Sequence, residues 1–199
     1  TGVEALLRLQ DGKGGHFSND EVIPLIEGEK LFSLIVLESL NQIKKFFERR
    51  DELGLANTTV YLNVSAHTIM HQEFCKIFSN FVEENNIKEN EFGLEITETA
   101  ELEDTKKAGE SLARLKKRGI KIALDDFGAG YASLKYIRDL PIDVVKLDRH
   151  FTSNISDPST SRLIKFVSDV CSELNLEMIG EGIETEEENI DDSKKELFL

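Results

Sequence analysis

Two adjacent carboxylates, Asp125 and Asp126, end an apolar run, Ile122-Ala123-Leu124, and lead into a glycine-punctuated turn, Phe127-Gly128-Ala129-Gly130. Successive strand residues face opposite sides, so the two acids address different partners unless the strand ends there. An Asp capping an ordinary strand-to-helix turn would explain an isolated pair, so the rest of the chain must decide. Five further apolar runs present a polar residue in the same manner: Glu4, Asn63 in Leu62-Asn63-Val64, Glu95 in Leu94-Glu95-Ile96, Lys146 in Val145-Lys146-Leu147, and Glu181 after Met178-Ile179-Gly180. Burying a lone carboxylate or ammonium costs on the order of several kcal/mol, so these groups must meet one another or a metal. Taken alone, Lys146 beside an Asp could be a structural ion pair. Carboxylates plus an amide carbonyl are hard oxygen ligands, suited to Mg²⁺ or Mn²⁺ rather than zinc. Such a cation would also admit a phosphate into an acidic pocket.

The elements that must position these residues alternate along the chain. Strand patterns occupy residues 1–9, 59–65, 92–97, 121–126, 143–148 and 176–181, with a turn-rich stretch at 10–18. Helical patterns lie between them. One over 31–53 carries Val36, Leu40, Ile43 and Phe47 on one face and stops at Gly54, and another carries Phe74, Phe78 and Phe81. A third is capped by Asp104 and ends at Gly119, and a fourth carries Leu163, Val167, Val170 and Leu174. Six strand–helix repeats with short links predict right-handed crossovers and a parallel sheet. The fold class expected is α/β, a TIM-like (β/α) barrel whose strand carboxyl ends converge on one functional face. Residues 1–199 read as a single domain with six of eight strands present, the first and last missing, and unpaired edges on the outer two.

Composition narrows the chemistry. Asp plus Glu number 38 against 24 Lys plus Arg, a formal charge of −14. That balance excludes a nucleic-acid polymer or an anionic membrane as an electrostatic partner. Cys75 and Cys171 fall in helical patterns as small core residues, which suits a reducing compartment. The longest apolar run, 34–37, cannot span a bilayer and no signal peptide is visible, so the chain reads as cytoplasmic, within a parent protein that can itself be membrane-anchored. His67 and His71 have the i, i+4 spacing of zinc ligands on a helix, but with no third ligand near them they read as an exposed pair.

Taken together, the motifs resemble the EAL-type cyclic-di-GMP phosphodiesterase domain. Glu4-Ala5-Leu6 with Arg8 is similar to the signature that names the family, and Asn63-Val64-Ser65 to its second-strand motif. Leu94-Glu95-Ile96-Thr97-Glu98 is similar to its paired glutamates and 125–130 to its catalytic loop. Lys146-Leu147-Asp148-Arg149 resembles its lysine strand, and Glu181-Gly182-Ile183-Glu184-Thr185 its last glutamate motif. The resemblance implies that Glu4, Asn63, Glu95 and Asp125 bind one divalent metal, Mg²⁺ or Mn²⁺, and that Asp125, Asp126 and Glu181 help hold a second. It gives Lys146 and Glu181 the orienting or deprotonation of the attacking water, Leu6 and Arg8 the substrate, and Glu98 the anchoring of the loop after Asp126. The implied reaction opens cyclic-di-GMP to linear pGpG. The resemblance also implies a homodimer built on the region after Asp126, where Tyr131, Leu134 and Tyr136 look exposed, and sensory or GGDEF-type domains in the parent protein. Leu9 stands where the family commonly has Trp, and Ala129 where it has Thr.

Two other readings use the same residues. A catalytically weak or inactive domain would bind cyclic-di-GMP and signal to a partner. An enolising Mg²⁺ barrel would use Lys146 as its base, although the Asp pair and Asn63 suit phosphodiester hydrolysis better.

Overall fold

The structure is a computed structural model that describes residues 2–26, 30–50, 52–97, 104–129 and 133–182. In chain order the elements are β1 (Gly2–Ala5), β2 (Leu9–Gln10), β3 (His16–Phe17), α1 (Asn19–Ile26), α2 (Lys30–Arg49), β4 (Thr59–Val64), α3 (Ala66–Met70), α4 (Gln72–Glu84), β5 (Phe92–Thr97) and α5 (Thr105–Lys116). These are followed by β6 (Lys121–Phe127), α6 (Ser133–Asp139), β7 (Val144–Leu147), α7 (Arg149–Ser153), α8 (Pro158–Glu173) and β8 (Glu177–Gly180). Six strands form one sheet in the order β1-β4-β5-β6-β7-β8, every neighbouring pair parallel, curled into a half-barrel. Because each parallel step needs a crossover, the helices fall on the outer face and both faces of the central strands are covered. Among the described residues, β1 and β8 are the two open edges of this sheet.

Burial follows the strand pattern. Phe92, Leu94 and Ile96 of β5 and Ile122 and Leu124 of β6 are fully buried under α4 and α5. On α4 the Phe74 and Phe78 rings meet edge to face, and Phe78 and Phe81 pack on Phe92. Aromatic contacts of this kind add to area burial and tie the helix to the strand that carries Glu95. Caps set the helix starts as the sequence signals. The Asp104 carboxylate accepts from the Lys107 amide, and Asp157 accepts from Ser159 and Thr160 ahead of Pro158. Both cysteines are buried, and burial pushes the Cys171 thiol up to about 11.

Several elements differ from the sequence reading. The strand expected over 1–9 ends at Ala5, and Leu9–Gln10 pairs instead with His16–Phe17 in a hairpin. The Asp11 carboxylate closes that turn by accepting from the Lys13 and Gly15 amides, so the chain leaves the sheet early. Helix α1 went unread because Pro24 lies inside it and interrupts the helical signal. The helix expected to run to residue 53 stops at Arg49. On α8 the buried stripe is Ile164, Val167 and Cys171, while Leu163 and Leu174 are half exposed. Two apolar stripes one residue apart compete on that helix, and periodicity alone does not rank them. Tyr136, expected at the surface, is buried, whereas Leu134 is exposed. Tyr131 lies outside the described residues. His71 is not one helical turn from His67 on a single helix, because the chain breaks there: it caps the end of α3 with extended backbone before α4 begins.

Candidate active site

Lys146 organises the carboxyl ends of the strands. Its Nζ lies 2.8 Å from Glu4 Oε1, 2.9 Å from Glu95 Oε1, 2.9 Å from Asp125 Oδ1 and 2.8 Å from Glu181 Oε1. Four carboxylates from β1, β5, β6 and the end of β8 therefore converge on one ammonium. Glu95 is fully buried and Lys146 and Asp125 are 6% and 9% exposed, while Glu4 and Glu181 lie nearer the surface. β5 delivers Glu95 from mid-strand in unbroken register, with Asn63 of β4 directly beside it and Ala123 of β6 on its other flank. Asn63 is exposed and shares a cavity of about 580 Å³ with Asp125 and Asp126. The cavity's apolar wall comes from Ile23 and Pro24 of α1 and Phe32 and Ile35 of α2. The sequence reading missed that wall together with α1.

β6 delivers its two acids differently. The pairing with β7 slips between Leu124 and Phe127, and Asp126 sits in the left-handed region at φ 54°. Asp and Asn tolerate that conformation better than other side chains, at a cost of roughly 1–2 kcal/mol. The slip cancels the alternation of the strand. Carboxylate oxygens of Asp125, Asp126 and Glu181 all come within 4.8 Å of one another.

The electrostatics follow from five carboxylates facing one ammonium. Burial pushes Glu95 up to about 7, against the opposing pull of Lys146. Asp126 is raised by burial and then by the negative Asp125 and Asp148, and Glu181 is raised first by burial. Burial alone would lower the Lys146 ammonium, but the facing carboxylates of Glu181, Glu4 and Asp125 outweigh it and hold the proton well above the ordinary lysine range.

Hydrogen bonding shows what the cluster lacks. Glu95 Oε2 is buried with no hydrogen-bond partner. Glu95 Oε1 and Asp125 Oδ1 are at ion-pair distance from Lys146 without an aligned hydrogen bond. Such orphaned buried anions are costly. Surplus negative charge on hard oxygen donors, with unfilled lone pairs aimed inward, fits a divalent cation of the Mg²⁺ or Mn²⁺ kind.

The remaining sequence candidates are less closely gathered. Leu6 is exposed at the cavity wall. Arg8 is exposed and its guanidinium donates to the Leu7 carbonyl. Glu98 lies outside the described residues.

A parallel α/β half-barrel with acids gathered at its carboxyl ends belongs to the class of (β/α) barrel domains, which carry their functional sites on that face. Within that class the match is specific: residues 1–189 fit the model of the EAL domain family, and the chain belongs to that family. It is 31% identical over 94% of its length to the probable cyclic di-GMP phosphodiesterase PdeG of Escherichia coli K12, covering 37% of that protein. It is 33% identical over 93% of its length to the cyclic di-GMP phosphodiesterase PA2567 of Pseudomonas aeruginosa, covering 32% of it. The chain thus spans about a third of the length of these curated relatives. Among solved structures, the Pseudomonas aeruginosa MucR phosphodiesterase in complex with c-di-GMP aligns with 94% of this chain and 76% of its own, at 29% identity and a TM-score of 0.79. The EAL domain of Mycobacterium smegmatis DcpA aligns with 75% of this chain and 68% of its own, at 28% identity and a TM-score of 0.70.

Proposed function

We propose that this domain hydrolyses cyclic-di-GMP to linear pGpG in a reaction that requires Mg²⁺ or Mn²⁺. The observation that carries the proposal is the buried cluster around Lys146, which holds more carboxylate than its one ammonium can neutralise. Its match to relatives named for this hydrolysis supports the choice of substrate. Glu4, Asn63, Glu95 and Asp125 would hold one cation, and Asp125, Asp126 and Glu181 a second. When bound, the metal supplies Lewis-acid stabilisation of phosphate charge and acidifies the attacking water.

This chain's own residues supply the rest. Lys146, clamped by four carboxylates, orients the attacking water and offsets negative charge beside the scissile phosphate. Glu181 helps fix that ammonium and would receive a proton from the water. The apolar wall of the cavity gives a purine ring a face to lie against, and Leu6 and Arg8 would contact the substrate. Residues 1–199 form one EAL barrel domain in this reading, with further strands of the domain pairing along β1 and β8. It operates as a homodimer in the cytoplasm, attached to sensory or GGDEF-type domains.

The test is product analysis. Cyclic-di-GMP incubated with the protein and Mn²⁺ should yield pGpG, and chelator should stop it. Nucleotide that is bound but recovered intact would instead mark a signalling module.

A further inference from the structure

The peptide of Glu181 is held from both sides. β8 ends at Gly180, so Glu181 stands one residue past the strand. The last rung of the β7–β8 ladder and one side-chain contact fix it. The Glu181 amide donates to the Leu147 carbonyl at 3.1 Å, and the Glu181 carbonyl accepts from Thr152 Oγ1 at 2.5 Å. Thr152 lies on α7, the short helix that follows the lysine strand and is capped by Asp148.

The Thr152 hydroxyl also lies 3.0 Å from the Arg149 carbonyl, the usual backbone contact of a helical Thr. A hydroxyl has one proton to donate, and the Glu181 carbonyl is an acceptor within its reach. At 2% exposure no solvent competes for it. The rest of α7 supports the same geometry. Gly182 has φ 67° and a methyl there would strike the Arg149 side chain; Gly128, just past the Asp pair, has φ 97° and a methyl there would overlap the Phe151 ring. The turn after Asp126 and the loop carrying Glu181 therefore both rest on α7.

We infer that Thr152 is a positioning residue: its hydroxyl sets where the Glu181 carboxylate stands, and through it the affinity of the acidic cluster for a divalent cation. The inference deepens the proposed function and rests on it. Groups that orient a metal ligand from behind typically change affinity by about 10- to 100-fold when removed.

The experiment is calorimetric titration of Mn²⁺ into T152V and T152S, beside thermal melting of each metal-free protein. T152V keeps the shape and removes the hydroxyl, so its Mn²⁺ dissociation constant should rise about tenfold or more, while T152S stays within about twofold of wild type. Affinity unchanged in T152V, or lost equally in T152S, overturns the inference. A lowered melting temperature with unchanged affinity overturns it as well, since that is the mark of a purely structural Thr. If T152V does not fold, T152A against T152S makes the same comparison, because only the hydroxyl differs. Wild-type protein that fails to bind Mn²⁺ defeats the proposed function and this inference with it; wild-type binding matched by T152V defeats the inference alone.

Discussion

β5 and β6 are neighbours in the sheet and both bring acid to the same ammonium, yet they do so by opposite means. β5 is regular. Glu95 keeps the strand's register, is fully buried, and is pushed up to about 7 by that burial. β6 breaks its register, turns Asp126 into the left-handed region, and so places two consecutive carboxylates together with Glu181. On β5 the cost of function is desolvation of one charge; on β6 it is backbone strain. Both are local departures from what folds best, as sites commonly require.

The largest effect should come from the acid that belongs to both regimes, since Asp125 pairs with β5 at Thr97 and opens the slip. D125N should lower turnover on the order of 10³-fold, the equivalent of a few kcal/mol of lost charge stabilisation, and leave circular dichroism unchanged. Near wild-type rates would remove Asp125 from the chemistry. K146M takes away the cation that reconciles the two strands. Leaving buried carboxylates unpaired should destabilise the metal-free protein by roughly 3–5 kcal/mol in denaturant titration. Its kcat should fall more than its KM changes, because an orienting charge acts mainly in the transition state. A raised KM with kcat intact would make Lys146 only a phosphate binder.

E95Q isolates the β5 side. The folded protein raises Glu95 from 4.5 to about 7, so its contribution is fully present below pH 4.5 and is lost as the pH climbs through 7. Metal-free wild type should therefore lose up to a few kcal/mol across that window, and E95Q should show a flatter profile when melting is followed against pH. An identical slope would mean that Glu95 is ionised without penalty. The smallest effect isolates β6. D126G should relieve the left-handed backbone and raise metal-free stability by about 1 kcal/mol, while weakening Mn²⁺ binding. Loss of stability instead would show that the Asp126 carboxylate, not its backbone, holds the turn.

The same contrast explains what could be read from sequence. Glu95, Lys146 and Asn63 stood out because a charge or amide inside an apolar strand has few bland explanations. All six sheet strands and their order were legible from apolar runs alternating with helical patterns. The slip in β6 was not, since alternation predicts that Asp125 and Asp126 diverge, and only the φ of Asp126 reconciles them. Helix α1 was hidden by Pro24, and the hairpin by an Asp11 turn that pulled Leu9 off the first strand. Thr152 carried no signal at all: a Thr in a short helix is unremarkable until the carbonyl it faces is known. The buried Tyr136 shows the limit of reading exposure from a loop-proximal aromatic.

Central to the proposed function is a divalent-cation site formed by these acids around Asp125. Calorimetric titration of Mn²⁺ into wild-type protein and D125N tests it most directly. Saturable binding by the wild type, abolished by D125N with the fold unchanged, is the predicted result; equal binding by both proteins, or none by the wild type, would contradict it.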